Sequence, residues 1–188
     1  MALCVGIAGG TGSGKTTLSR YLAENLAEFR VRVIPMDKFY RDQRPRTIAS
    51  LSGQEYEDFN HPDALDLDAV GRELREALEE EDIVLIEGFL LFAVKELADM
   101  LEYKVFVDCP SDERLARRLG KFKSGKYTQE ETVREYLELV RPRHDRYVEP
   151  TRWQADLVLN GSLPSAKGGE MLLEWIRFKA SMPMPRCI

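Results

Sequence analysis

The sequence predicts an α/β domain, a five-stranded parallel sheet with helices packed on both faces. Three observations predict it. Short apolar runs alternate along the chain with longer segments of helical period. The clearest runs are continuously apolar rather than alternating, as strands covered on both faces are. The first run breaks into a glycine-rich turn that opens the first helical segment. Strands and helices in strict alternation give a parallel sheet, because each crossover helix returns the chain to the same end.

In chain order, residues 3–8 form the first strand and break at Gly9 and Gly10. From Gly14 to about Phe29, Leu18, Leu22 and Leu26 share one helical face. Residues 31–35 form the second strand, ending just before Asp37. Residues 41–58 are polar and aperiodic and read as a long loop, a kind of segment that is usually functional or disordered. Within it, Leu51-Ser52-Gly53-Gln54 resembles a transporter-ATPase signature but lacks the second glycine, so it reads as loop. Asp66 or Asp68 caps a helix that carries Val70, Leu74 and Leu78. Residues 83–86 form the third strand and run into Glu87 and Gly88, and a short helix is expected over 94–101. Residues 103–107 form the fourth strand.

Ser111 then caps a helix with Leu115 and Leu119, and Asp112 and Glu113 favour its first turn. Thr128 and Glu131 have the spacing of a capping box ahead of a helix bearing Val133, Leu137 and Val140. Residues 157–159 form the fifth strand. A last amphipathic helix carries Met171, Leu172, Trp175 and Ile176, and 182–188 read as a tail.

The 188 residues fit one domain spanning 1–188. The net charge of −5 lacks the basic footprint that nucleic-acid binding needs. No apolar stretch approaches the ~20 residues of a membrane span, and the N-terminal run lacks the basic start of a signal peptide. Cys4, Cys109 and Cys187 are odd in number and have no metal or redox spacing, which suits a reducing, cytoplasmic setting. His61 and His144 stand alone and form no metal cluster. Homo-oligomerisation stays open.

The chemistry concentrates where the strands end. Gly9-Gly10-Thr11-Gly12-Ser13-Gly14-Lys15-Thr16 matches G-x-x-x-x-G-K-[ST] in full, between a strand and a helix. Its glycines let successive backbone N–H groups converge on phosphate oxygens, and the helix N-terminus adds its dipole. Lys15 can reach the β- and γ-phosphates of a nucleotide, and the Thr16 hydroxyl can ligate magnesium. Asp37, at the tip of the second strand, is placed for a general base or is an ordinary turn aspartate. Glu87 ends an apolar strand beside the P-loop, as a Walker B acid that positions magnesium does. Arg117, Arg118, Lys121, Lys123 and Lys126 crowd residues 117–127, which are either a basic lid over the transferring phosphoryl or a solvated surface.

These residues together resemble the uridine kinase and nicotinamide riboside kinase family of P-loop kinases, along nearly the whole chain. The resemblance rests on the run from Gly6 to Thr17, on Asp37-Lys38-Phe39-Tyr40, and on Phe59-Asn60-His61-Pro62-Asp63-Ala64. It continues through Ile86-Glu87-Gly88-Phe89-Leu90-Leu91-Phe92, Phe106-Val107-Asp108, Arg114-Leu115-Ala116-Arg117-Arg118 and the last strand. It implies ATP and Mg2+ held by residues 9–17 with Glu87, Asp37 as catalytic base, and Lys15, Arg117 and Arg118 as cations on the phosphoryl group. It implies a small-molecule hydroxyl acceptor, a nucleoside, held near Asp37, Tyr40 and Asn60. The loop 41–58 would then have to supply what base contact there is, with Tyr56 or Phe59 either stacking on a flat ring or simply anchoring the loop to the core.

Two departures are visible. Asn60 stands where the family's ribose-binding aspartate aligns, and Asn can still donate and accept. The base-reading hairpin that uridine kinases carry before the third strand has no room in residues 78–83. A nicotinamide riboside kinase or a kinase of another hydroxyl metabolite is therefore the alternative. A nucleotide switch is a further reading, although the guanine-reading Asn-Lys-x-Asp run of a GTPase does not occur. A non-catalytic relative would not be expected to keep Lys15, Thr16, Asp37 and Glu87.

Overall fold

The computed structural model of the chain describes residues 2–121, 128–162 and 167–182. The basic segment expected to continue the lid over 122–127, and the tail beyond Met182, lie outside the described residues. Five parallel strands form the sheet in the order β2-β5-β1-β6-β7. They are β1 (Leu3–Ala8), β2 (Val31–Pro35), β5 (Ile83–Glu87), β6 (Tyr103–Asp108) and β7 (Leu157–Asn160). All four pairings are parallel, with Ile7 and Pro35 both in register with Glu87. All strands therefore end on the same side, where ligands of open α/β sheets bind.

The sheet separates two cores. Leu3, Val5 and Ile7 face one side, against Leu22 and Leu26 from α1 (Lys15–Glu24) and its exit, and Leu172, Leu173 and Ile176 of the last helix. Cys4 and Ala8 face the other, against Val70, Leu74 and Ala77 of α2 (Leu67–Glu80) and Phe92 and Leu97 around α3 (Lys95–Ala98). This two-sided burial is why β1 and β5 read as unbroken apolar runs.

The expected elements are present, with several differences of detail. The helix expected to reach Phe29 ends at Glu24, where the Asn25 amide donates to the Tyr21 carbonyl and draws the chain off the axis. Asp66, not Asp68, caps α2, accepting from the Ala69 N–H at 3.0 Å. The polar loop 41–58 holds an antiparallel hairpin, β3 (Arg46–Ile48) and β4 (Glu55–Glu57). Its three-residue strands are too short to show a period. Cross-strand charge pairs support it, Arg46 with Glu55 at 2.7 Å and Arg44 with Glu57 at 2.8 Å.

After α4 (Ser111–Lys121), the Thr128–Glu131 capping box is formed and starts α5 (Gln129–Glu135). The helix then continues to Gln154 through a π-helical stretch (Tyr136–Val140), the single turn α6 (Arg141–Arg143), a second π-helical stretch (His144–Val148) and a 3-10 segment (Glu149–Gln154). This wider winding buries Thr132, Tyr136, Val140, His144 and Val148, a period of four rather than 3.6. Leu137, expected on the inner face, is consequently exposed, and Leu139 takes its place inside. In α7 (Lys167–Ser181), Met171 points outward and Leu173 inward. Among the described residues no helix is long and apolar enough to cross a membrane.

Candidate active site

The turn after β1 closes tightly. The Ser13 N–H donates to the Gly10 carbonyl, and Gly9, Gly12 and Gly14 sit at φ of 138°, 78° and 109°, a region that strains any side chain. Packing also crowds two of the glycines, Gly9 against backbone and Gly10 against a side chain. A Cβ on Gly9 would come within 2.3 Å of the Val107 carbonyl oxygen, and one on Gly10 within 2.6 Å of the Arg114 guanidinium. Lys15 is 8% exposed, and its Nζ donates to the Gly10 carbonyl at 3.0 Å, so its charge lies inside the turn. Thr17 follows in the first turn of α1.

The acid at the end of β5 meets the loop directly. The Thr16 hydroxyl donates to Glu87 Oε1 at 2.7 Å, and Glu87 is 5% exposed. A hydroxyl and a carboxylate brought together at a phosphate cradle form an all-oxygen donor pair, which suits a hard cation. Asp37 lies in the 3-10 turn Met36–Phe39 after β2, with its side chain exposed on the same side of the sheet.

The cations of α4 divide between the two sides. Arg117 grips the cradle from behind: its guanidinium donates to the Gly12, Ser13 and Gly161 carbonyls at 3.1, 3.3 and 2.8 Å, with Glu113 also in contact. Arg118 donates to Glu135 of α5 at 2.8 Å, and its charge is felt at the Tyr40 phenol. Lys121 begins the part of the basic segment whose side chains are not described.

After the Met36–Phe39 turn, Tyr40 and Phe59 pack edge to face at 5.1 Å, and the Arg44 guanidinium lies 4.5 Å over the Phe59 ring. Burial first, then the Asp37 carboxylate, pushes the Tyr40 phenol above its ordinary value, so it stays a proton donor. Tyr56 turns to α5's continuation, its hydroxyl donating to Glu138 at 3.2 Å, and burial and that contact raise its phenol as well. The Asn60 N–H donates to Asp58 Oδ1 at 3.0 Å. Asp58 itself is fully buried.

Two residues of this region escape a reading of the sequence. Arg114, 4% exposed, donates through Nε to the Cys109 carbonyl and packs its guanidinium against Gly10. The sequence places Arg114 in the segment that resembles the family's lid, with no sign that it packs against the P-loop. Arg143 reaches Asp58 across 85 residues, with no local signal at all.

A phosphate cradle at a strand–helix junction, with an acidic strand end bonded to its threonine, defines the P-loop nucleotide-binding proteins. A family model described as an AAA domain matches residues 5–138. The chain is 31% identical to the uridine kinase of Staphylococcus epidermidis, over 82% of this chain and 86% of that protein. It is 30% identical to that of Staphylococcus aureus over the same shares. Among solved structures it is similar to a putative fructose transport system kinase from Silicibacter sp. TM1040 (TM-score 0.64, 22% identity, 84% of this chain and 89% of that one). It is also similar to a possible uridine kinase from Bacillus stearothermophilus (TM-score 0.58, 22% identity, 85% and 89%). The chain belongs to the uridine kinase-like family of P-loop kinases. It is a phosphotransferase whose acceptor is a hydroxyl of a small molecule.

Proposed function

We propose that this enzyme transfers the γ-phosphoryl group of ATP to a hydroxyl of a nucleoside, with magnesium as its metal, in the cytoplasm. The observation that supports it most is the direct Thr16–Glu87 contact beside the Lys15 cradle, because that pair matches what a nucleotide-bound magnesium requires. Residues 9–17 would hold the phosphates, and Thr16 and Glu87 the metal. Bound magnesium would offset the negative charge of the phosphates.

Each protein group then has a task. Asp37, at the tip of β2, takes the proton of the acceptor hydroxyl. Lys15 supplies fixed positive charge at the phosphates without reorganising. Arg117 holds the cradle in shape through three carbonyls. Arg118, tied to Glu135 and acting electrostatically on Tyr40, would serve as a lid cation that shields the transferring group from water. Tyr40, Phe59 and Asn60 line the acceptor, with Asn60 in place of a carboxylate on the ribose hydroxyls. Tyr56 contributes through the hairpin it anchors.

The names of the relatives favour uridine, but one feature of this chain favours broader use. α2 runs unbroken to Glu80 and β5 begins at Ile83, leaving no hairpin there to read a base. Uridine, cytidine and nicotinamide riboside should therefore have kcat/KM values within about one to two decades of one another. Deoxyribose analogues should be poorer, because the missing hydroxyl leaves a polar partner unpaired. Steady-state kinetics over this panel tests the reading, with Asp37→Asn run alongside. That variant should lose about 10²-fold or more in kcat while ATP still binds. Activity on no riboside would exclude the nucleoside reading, and an unchanged rate in Asp37→Asn would exclude Asp37 as the base.

A further inference from the structure

Asp58 is a carboxylate with no exposed surface, two residues before Asn60. A buried charge is tolerated only when its oxygens are fully engaged. Here the Thr47 hydroxyl donates to Oδ2 at 2.8 Å, and Arg143 donates to the same oxygen through Nε at 2.8 Å, with Nη2 2.7 Å away. The other oxygen, Oδ1, accepts the backbone N–H of Asn60. Arg143 also donates to Thr47 at 2.9 Å, closing a three-residue ring.

One turn further along the same helical rod, Tyr147 packs edge-on against the His61 ring at 5.7 Å. The rod thus grips the chain on both sides of Asn60, through Asp58 and through His61. Earlier on the rod, Glu138 accepts from both Ser52 and Tyr56 of the hairpin. The strength of the arrangement is directional: donors from Thr47, Arg143 and Asn60 leave the Asp58 carboxylate a single orientation, and that orientation sets the backbone at Asn60.

We propose that Arg143 is a positioning residue for the acceptor site, acting through Asp58 to fix Asn60. The inference rests on the reading of Asn60 as an acceptor ligand. It predicts that the ion pair governs acceptor binding and leaves the nucleotide half of the site alone, since no residue of the P-loop touches Asp58 or Arg143 among the described hydrogen bonds.

The test uses the full chain with uridine as probe, and amide hydrogen exchange as a readout that needs no acceptor. Arg143→Met should raise the KM for uridine about tenfold or more, leave the KM for ATP within about twofold, and speed exchange in segment 56–61 about tenfold with residues 9–17 unchanged. The double variant Asp58→Asn, Arg143→Met should recover most of both losses. Its side-chain amide oxygen at position 58 would still accept from Thr47 or Asn60, and no unpaired charge would remain buried. Should Arg143→Met not fold, Arg143→Lys keeps the charge without the two-point geometry and should show an intermediate KM.

An equal rise in both KM values, or faster exchange throughout the protein, would reduce Arg143 to general stability and overturn the proposal. So would an unaltered uridine KM with unaltered exchange. If the wild type phosphorylates no riboside, the nucleoside reading fails by itself, and exchange at 56–61 still decides whether Arg143 orders that segment.

Discussion

At the scale of single residues, the site is organised by contacts between segments that each strand end supplies separately. Thr16 and Glu87 lie 71 residues apart and meet at 2.7 Å because β1 and β5 are neighbours with Ile7 opposite Glu87. The P-loop, Asp37 and Glu87 stand where the sequence places them, at the ends of apolar runs. What the sequence does not carry is which groups hold them. Arg117 reads there as a lid cation, and in the structure it is occupied with the carbonyls of the cradle. Arg114 reads there as part of the lid segment and in the structure lies buried against Gly10. Glu87→Gln tests the metal role. The amide keeps an oxygen to accept from Thr16 but loses the charge that attracts a divalent cation. The variant should need several-fold more magnesium for half-maximal rate, with the fold unchanged by circular dichroism. A magnesium dependence identical to that of the wild type would remove Glu87 from the metal site.

At the scale of elements, legibility follows length and period. Strands β1 and β5 and helix α2 announce themselves because each is buried along a continuous run or a clean stripe. The hairpin over 46–57 does not, because three-residue strands stabilised by Arg–Glu pairs look like any polar loop. The rod over 129–154 is legible as a helix but not in its facing. A period of 3.6 places Leu137 inside with Val133 and Val140, whereas the π-helical winding turns Leu137 out and Leu139 in. Along the same rod, Glu138 reaches the hairpin and Arg143 reaches Asp58. The register can be checked by stability. Leu139, 2% exposed, should cost about 2–5 kcal/mol on truncation to alanine. Leu137, 39% exposed, should tolerate serine within about 1 kcal/mol. Urea denaturation of the two variants distinguishes the windings, and the reverse order of costs would restore the ordinary α-helical facing.

At the scale of the whole molecule, the rod is tied to α4 through Glu135 and to the segment around Asp58 through Arg143, and it carries a buried histidine. His144 is 8% exposed. Its Nε2 lies 3.2 Å from Glu149, and its Nδ1 has no hydrogen-bond partner among the described residues. Burial lowers its pKa most, and the charge of Arg114 lowers it further, while Glu149 and Asp145 oppose both without reversing the direction. The folded protein therefore holds His144 neutral at a pH where the unfolded chain already binds a proton. The stabilisation this gives is complete above the ordinary histidine value of about 6.5. It is lost as pH falls from there toward the depressed folded value, at up to about 1.4 kcal/mol per pH unit, and the loss levels off once both states are protonated. Melting temperatures measured between pH 7.5 and 5 should fall by a few degrees through this window. In His144→Gln, which fills much of the same space without titrating, the curve should be flatter there. The Arg114 guanidinium packs against Gly10 and its charge acts on His144, so protonation would add a second cation to the same electrostatic surroundings. A His144→Gln curve as steep as the wild type's would assign the acid sensitivity to other groups and release His144 from this role.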